Sequence, residues 1–325
     1  MPFTIAGMSF IANKFSVALP VVKHRFFGEA LDSVLAQTYP GFELIILNNA
    51  VAGDEKRMIR ETVDQHDDPR IRYMENEVQL PIIANWNKCL SFAKNELFVL
   101  FSDDDLYHPE FLCRMAGLAD RYPGSHVFHC RVCQVNESGD VTGYAPVCPA
   151  HESQLDFIWH AMKGVRLQFA PDFVSRTVSL KAIGGFIDFP LAWVSDYVTW
   201  FTLAGQGGVA YTPETLVSFR VSGISLSSAG NVEQRMEATR MYREWIGKFI
   251  RDYKPSDSEE ADLVNEIRRI YPGLFLHKSL FLLSQAIRGR YNASALHHIL
   301  RLKKKYNIPT LPFLKTLATA ITRGA

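Results

Sequence analysis

The stretch Leu97–Pro109, LFVLFSDDDLYHP, constrains this chain more than any other. Leu97 to Phe101 form a short unbroken apolar run, which predicts a strand buried on both faces. Asp103, Asp104 and Asp105 follow at once. Three adjacent carboxylates do not all enter a core without partners. They belong instead at the mouth of a sheet, beyond the strand's C-terminal end, where α/β proteins bind ligands. Carboxylates placed there suit a hard divalent metal, and such a metal suits a phosphate. The competing reading is plainer. Asp is a common turn and capping residue, so the run also fits a turn before the next helix.

The flanking sequence alternates. Phe15–Leu19 and Phe42–Leu47 read as strands, and Ile71–Met74 as a short third. Between them, Phe27, Ala30, Leu31, Val34 and Leu35 recur at helical spacing, as do Met58, Ile59, Thr62 and Val63. Ile82, Ile83, Trp86, Cys89, Leu90 and Ala93 mark a third helix. Such alternation predicts an α/β fold with a largely parallel sheet and helices on both faces. After Asp105 the pattern changes. A helix is expected over Phe111–Leu118, and strands over Val127–Val135, Val141–Ala145 and Leu216–Val221. A short helix is expected in LKAIGGF, Leu180–Phe186, and another from Ser195 to Leu203. Ser222–Gly230 is small and polar, as a mobile loop would be. From Glu233 the chain reads as helical, with breaks at Pro255, Pro272 and Pro309. Two domains follow, 1–230 and a helical C-terminal extension over 231–325.

Of the 325 residues, 47% are hydrophobic, enough for a sizeable core. The net charge of +1 hides a segregation. Eleven Lys and Arg and no Asp or Glu follow Glu266, so the rest of the chain carries −10. The leucines of this tail read mostly as a core face. The run Arg301–Lys305 with IPTLPFLKTLATAI beyond it also has the character of a helix lying on an anionic membrane surface. Aromatic platforms are sparse there, so a nucleic-acid partner is not expected. No apolar run reaches the roughly 18 residues of a membrane span. The first residues, MPFTIAGMSFIANKF, lack a basic start, so neither signal peptide nor anchor is expected and the default compartment is the cytoplasm. Cys130-x₂-Cys133 and Cys148-x₂-His151 have zinc-ligand spacing. On a strand, however, residues three apart face opposite sides, which favours ordinary buried thiols.

Five pieces of the chain together resemble the inverting family-2 glycosyltransferases of the GT-A fold. They are FSVALP at Phe15–Pro20, LDSVLAQTYPGFELIIL at Leu31–Leu47, Asn85-Trp86-Asn87, SDDDLYHPEFL at Ser102–Leu112, and LKAIGGF followed by Ser195-Asp196. The resemblance covers roughly residues 15–225 and rests on order and spacing rather than on any one piece. It implies a GT-A-like, Rossmann-type sheet and transfer of a sugar from a nucleotide-sugar donor to a glycan or lipid-linked glycan acceptor, in bacterial surface polysaccharide synthesis. Asp104 would be the main ligand of Mn²⁺ or Mg²⁺. Asp103 would assist the metal or contact the ribose. Pro20 and Val21 would line the base pocket, with Asn49, Asn85 and Arg220 also on the donor. Asp196 would be the general base.

Three departures stand out. Asn48-Asn49 replaces a frequent Asp-Asp, Val22-Lys23 replaces Tyr-Asn, and Arg220-Val221-Ser222 replaces Arg-x-His. An Asn side chain still accepts a hydrogen bond but carries no charge. Several local readings stay open. Ser195-Asp196 is also good helix capping. Lys23-His24-Arg25 is either a solvated basic turn or a contact to the donor diphosphate. Arg220 either closes over that diphosphate or sits at a strand end. Two other functions remain: a degenerate donor-binding or scaffold protein, and metal-dependent nucleotidyl transfer, although no G-x-x-x-x-G-K-[ST] loop occurs.

Overall fold

The structure, a computed structural model, describes residues 14–51, 53–222, 231–287 and 293–322. The first thirteen residues and most of the loop expected over Ser222–Gly230 lie outside the described residues. In chain order the elements are β1 (Phe15–Val21), α1 (Phe27–Leu35), β2 (Phe42–Asn48), α2 (Asp54–Asp64), β3 (Ile71–Glu75), α3 (Ile82–Phe92), β4 (Leu97–Leu100), β5 (Leu106–Tyr107) and α4 (Phe111–Arg121). Then come β6 (Val127–Val135), β7 (Val141–Tyr144), β8 (His151–Glu152), α5 (Gln154–Met162), β9 (Phe173–Arg176), α6 (Thr177–Ala182), α7 (Ser195–Leu203) and β10 (Val209–Arg220). Four helices close the chain: α8 (Val232–Asp252), α9 (Ser258–Ile287), α10 (Ala293–Lys305) and α11 (Thr310–Thr322).

The strands form one ten-stranded sheet in the order β3-β2-β1-β4-β9-β6-β10-β5, with β7 on β6 and β8 on β10. The half β3-β2-β1-β4 is wholly parallel, as its strand–helix alternation requires. The other half is mixed. β9 enters antiparallel between β4 and β6, while β10 runs parallel to β6. The expectation of a largely parallel sheet therefore holds for the first four strands. β9 went unseen in the sequence because four residues, FVSR, carry no period of their own.

Residues Phe15–Leu19 of β1 and Leu97–Val99 of β4 are completely buried, so both faces of these strands are covered. Phe15, Val17 and Leu19 share a core with Phe27, Leu31 and Val34 of α1, Ile59 of α2 and Leu112 of α4. The opposite face meets α3, and there Phe98 approaches Phe186, just beyond α6. This two-sided packing is why the strands read as continuous apolar runs rather than alternating ones.

The chain divides into two compact units. The first falls within Met1–Phe157, Val165–Ile187 and Thr199–Ser222, and the second within Ile158–Gly164, Asp188–Val198 and Gly223–Ala325. The expected boundary near residue 230 is thus not a single cut, since two short earlier pieces group with the C-terminal helices. Within the second unit α9 runs unbroken through Pro272, where a break was expected. A helical proline costs about 3 kcal/mol. Here buried side chains on both sides of it, Val264 and Ile267 before and Phe275, Leu282 and Leu283 after, hold the helix in register.

The paired glycines after α6 have a specific task. Gly184 and Gly185 both take φ +88°, a left-handed conformation that side chains disfavour. The Asn87 side chain clasps the next residue, accepting the Phe186 N–H at 2.8 Å and donating to the Phe186 carbonyl at 3.2 Å. A Cβ on residue 185 would lie 2.3 Å from Asn87 Oδ1. Gly185→Ala is therefore expected to cost about 1–3 kcal/mol, read as a lowered urea midpoint with unchanged slope. An unchanged midpoint would show that the clasp yields without cost.

Candidate active site

The parallel half of the sheet changes winding direction at β1, whose neighbours are β2 and β4. A crevice opens beyond the strand ends at such a switch point. Register delivers the acidic run to it. Ala18 pairs with Leu100, and the Phe101 N–H donates to the Ala18 carbonyl at 2.8 Å. Residues 102–105 therefore emerge beside the end of β1. Aromatic stacking closes the loop they form. Phe101 lies on Tyr107 with ring centroids 3.7 Å apart, and Tyr107 lies on Phe111 at 4.0 Å.

The three aspartates have three different environments. Asp103 Oδ2 accepts the N–H groups of Val22 at 2.8 Å and Lys23 at 3.0 Å, which ties the loop to the chain leaving β1. Burial raises its pKa, opposed by those hydrogen bonds. Asp105 is fully buried. Its Oδ1 accepts the Arg220 N–H at 2.8 Å, and its Oδ2 is buried with no hydrogen-bond partner. Burial, then the charge of Asp104, pushes its pKa well above the carboxylate range. The shift favours the uncharged form of Asp105 within the crowded run. Asp104 is half-buried. Burial and then the neighbouring Asp103 raise its pKa, while Lys23 and Arg220 oppose them.

Arg220, expected on the donor diphosphate, is occupied elsewhere. It is 2% exposed. Its Nε donates to the Asp104 carbonyl at 2.9 Å, one terminal nitrogen to the Glu137 carbonyl at 2.9 Å, and the other to Glu29 Oε2 at 2.7 Å. The guanidinium carbon sits 4.3 Å from the centroid of the Phe26 ring. A buried guanidinium needs these partners, so it is not free to close over a ligand. The same correction applies to two neighbours of Lys23. His24 Nε2 is 2.9 Å from Thr62 Oγ1, and Arg25 pairs with Glu137 at 2.8 Å.

The asparagines expected on the donor are also engaged. Asn49 Oδ1 accepts from Asn76 Nδ2 at 2.7 Å and from the Leu80 N–H at 2.8 Å, while its Nδ2 donates to the Leu80 carbonyl at 3.0 Å. Asn76 Nδ2 also donates to Asn85 Oδ1 at 2.8 Å, and Lys88 Nζ donates to Asn76 Oδ1 at 2.7 Å. All three asparagines are buried. They form an amide cluster that pins the segment after β3 to the end of β2. Val21 is fully buried in the core, so its side chain does not line a ligand pocket, whereas Pro20 stays half-buried.

Asp196 belongs to the second unit and opens α7 one residue after the buried Ser195. The approach to it is strained. Leu191, Ala192 and Val194 take φ of 62°, 55° and 60°. Each such residue costs of order 1–2 kcal/mol, most for the β-branched Val. The Arg235 guanidinium lies 5.1 Å from the Trp193 ring within this unit. Burial pushes the Asp196 carboxyl up to about 6, against the pull of backbone N–H groups at its own helix start. Capping and base chemistry are therefore not exclusive here, because desolvation outweighs the helix end.

Among the described residues, no three His, Cys, Asp or Glu side chains converge into a self-sufficient metal cage. Asp104 and the second oxygen of Asp103 do match the hard, incomplete oxygen set on which Mg²⁺ or Mn²⁺ sits when phosphates complete its sphere. Cys130 and Cys133 are buried thiols on β6, and Cys133 Sγ lies 3.2 Å from Ser218 Oγ. Glu29, Asn76 and Glu137 carry no local sequence signal, since each matters only through a partner far along the chain.

Residues 16–166 match the model of the family described as glycosyl transferase family 2. An uncharacterized glycosyltransferase of Haemophilus influenzae is 21% identical over 248 residues, covering 70% of this chain and 71% of that protein. Further curated relatives are matched over less than two thirds of their own length. S. aureus TarS 1-349, solved in complex with UDP-GlcNAc, has a similar fold, with TM-score 0.63, 17% identity, and coverage of 84% of this chain and 80% of that one. A mannosyltransferase, PcManGT from Pyrobaculum calidifontis, solved with GDP-Man and Mn²⁺, superposes with TM-score 0.56 at 16% identity, over 100% of this chain and 90% of that one. Residues 16–166 thus resemble glycosyl transferase family 2, and the chain shares its fold with TarS and PcManGT.

Proposed function

We propose that the protein moves a sugar from a nucleoside-diphosphate sugar to a hydroxyl of a glycan acceptor, with inversion at the anomeric carbon. The observation that carries the reading is Asp104. It is half-buried at the switch point, its main-chain carbonyl accepts from Arg220, and among the described residues no hydrogen bond from another residue to its carboxylate is found. Mn²⁺ or Mg²⁺, held by Asp104 with Asp103, would supply positive charge for the departing diphosphate. The charge of Lys23 acts on both carboxylates and adds to this positive field.

The remaining steps fall to this chain's own groups. The acceptor hydroxyl gives its proton to an oxygen of Asp196 as its own oxygen bonds to the anomeric carbon. The bond from that carbon to the diphosphate oxygen breaks, and the diphosphate leaves with the electron pair. A single displacement needs no protein nucleophile. A carboxyl with pKa near 6 is mostly ionised at neutral pH and is still a better base than an ordinary Asp.

Thermal-shift titration with UDP, GDP, CDP and ADP, with and without Mn²⁺, tests the donor half. One nucleotide is expected to raise the midpoint, and more so with metal. No response to any of them would overturn it. Specific binding without release of diphosphate from the matching sugar donor would favour the scaffold reading. Asp104→Asn and Asp196→Asn are each expected to lower turnover by roughly 10²–10⁴-fold with circular dichroism unchanged. Because burial disfavours the Asp196 carboxylate, the Asn variant at that position should melt at the same temperature as wild type or higher at pH 7.5.

The pH profile carries its own sign. Asp196 must be ionised to accept a proton, so kcat/KM should fall about tenfold per pH unit below about pH 6. A profile flat down to pH 5 would remove Asp196 from the base role.

A further inference from the structure

The basic tail is not uniformly available. Arg301 and Lys305 of α10 both pair with Glu233 of α8, at 3.0 and 2.9 Å. Arg269 pairs with Glu266, and Arg268 donates to Asn265. Among the described residues of the last two helices, Lys304 and Lys315 are exposed cations with no ion pair found, Lys303 is half-buried with its Nζ 5.8 Å from the Phe313 ring centroid, and neither helix has an acidic residue.

These lysines share their surface with leucines. In α10, Ile299 and Leu302 turn inward onto Leu282 and Leu283 of α9 and Met236 of α8. The other stripe of α10 holds Leu296, Leu300, Lys303 and Lys304 at helical spacing, with both leucines exposed. In α11, Phe313 points inward, and Leu311, Leu314 and Lys315 face out. Leu311 is 65% exposed, high for a residue on a helix that has a core to use. Leu300, Lys303, Lys304, Ile308, Phe313 and Leu314 line an open groove of about 670 Å³ between the two helices.

The hairpin is built to hold this shape. Asn307 takes φ 51° between the helices. The Ile308 N–H donates to the Lys303 carbonyl at 3.0 Å and the Asn307 N–H to the Lys304 carbonyl at 3.3 Å, a Schellman pattern that ends α10 and turns the chain into α11. Two short helices fixed side by side, apolar and purely cationic on one face, complement a surface that is apolar below and anionic above.

We propose that the α10–α11 hairpin docks this protein on an anionic lipid bilayer. Leu296, Leu300, Leu311 and Leu314 enter the boundary between headgroups and acyl chains. Lys303, Lys304 and Lys315 meet the lipid phosphates, with their methylene stems along the groove. The inference uses the second unit alone and stands whether or not the transfer chemistry is right. Among the described residues no helix is long and apolar enough to cross a membrane, so the contact is interfacial.

Co-sedimentation of the full chain with vesicles tests it. Binding is expected to phosphatidylcholine vesicles containing 30% phosphatidylglycerol, with loss in 0.5 M NaCl and none to pure phosphatidylcholine. Each of Lys304→Gln and Lys315→Gln should weaken binding roughly fivefold. Leu311→Asp with Leu314→Asp should weaken it at least tenfold, at unchanged circular dichroism and thermal midpoint. Equal binding by the leucine variant would overturn the proposal, as would equal binding to neutral vesicles. A lipid-free dimer in sedimentation velocity that the same substitutions dissociate would also overturn it, by assigning the face to a second copy.

Discussion

The buried guanidinium of Arg220 is the contact on which the candidate site depends. Sealed from water, it needs a hydrogen-bond acceptor for each nitrogen, and it finds them on three separate pieces of chain. It joins the end of β10 to the acidic loop, to the turn after β6 and to α1. Its backbone N–H holds Asp105 as well. One residue thereby sets the position of the Asp104 main chain without hydrogen-bonding the Asp104 carboxylate. The run of three aspartates divides its labour accordingly. Asp103 fastens the loop to β1, Asp105 anchors it inward through the Arg220 N–H, and Asp104 is the one presented.

The parallel half of the sheet was legible because each strand there is a dense apolar run closed by turn residues, and each helix repeats at 3.6. Short and long-range elements were not. β5 and β8 are two residues each, and β9 pairs with strands distant in sequence, so nothing local announces any of them. Pro272 misled for a related reason: the local cost of proline in a helix is real, and tertiary packing outweighed it. Within the site, the acidic run and its place at a sheet mouth could be read directly. The fate of Arg220, Asn49 and Asn85 could not. Residue type shows that a side chain carries charge or an amide; it does not show whether a partner such as Glu29, far away in sequence, has already claimed it.

Strain sits where the second unit presents Asp196. Three left-handed non-glycine residues just before α7 are held by a buried Ser195, which accepts the Phe189 N–H at 3.1 Å, and by the Trp193–Arg235 contact. Backbone held so far from its preferred states persists only where the surroundings over-determine it. The carboxyl that follows is then delivered by a stiff segment rather than by a free loop end, and burial adjusts its proton affinity toward neutrality.

The cluster of Asn49, Asn76 and Asn85 lies at the end of the sheet strand next to β1. The side chains here are amides, and an amide has no proton to gain or lose near physiological pH. The grip on the segment between β3 and α3 should therefore be indifferent to acidity, although the aspartate loop at the neighbouring strand end is dense with groups that titrate. Two adjacent walls of one crevice then differ in kind. One keeps its shape from mild acid to mild alkali, and the other changes its charge across the same range. In acid, a ligand held by both would lose its hold on the charged wall first.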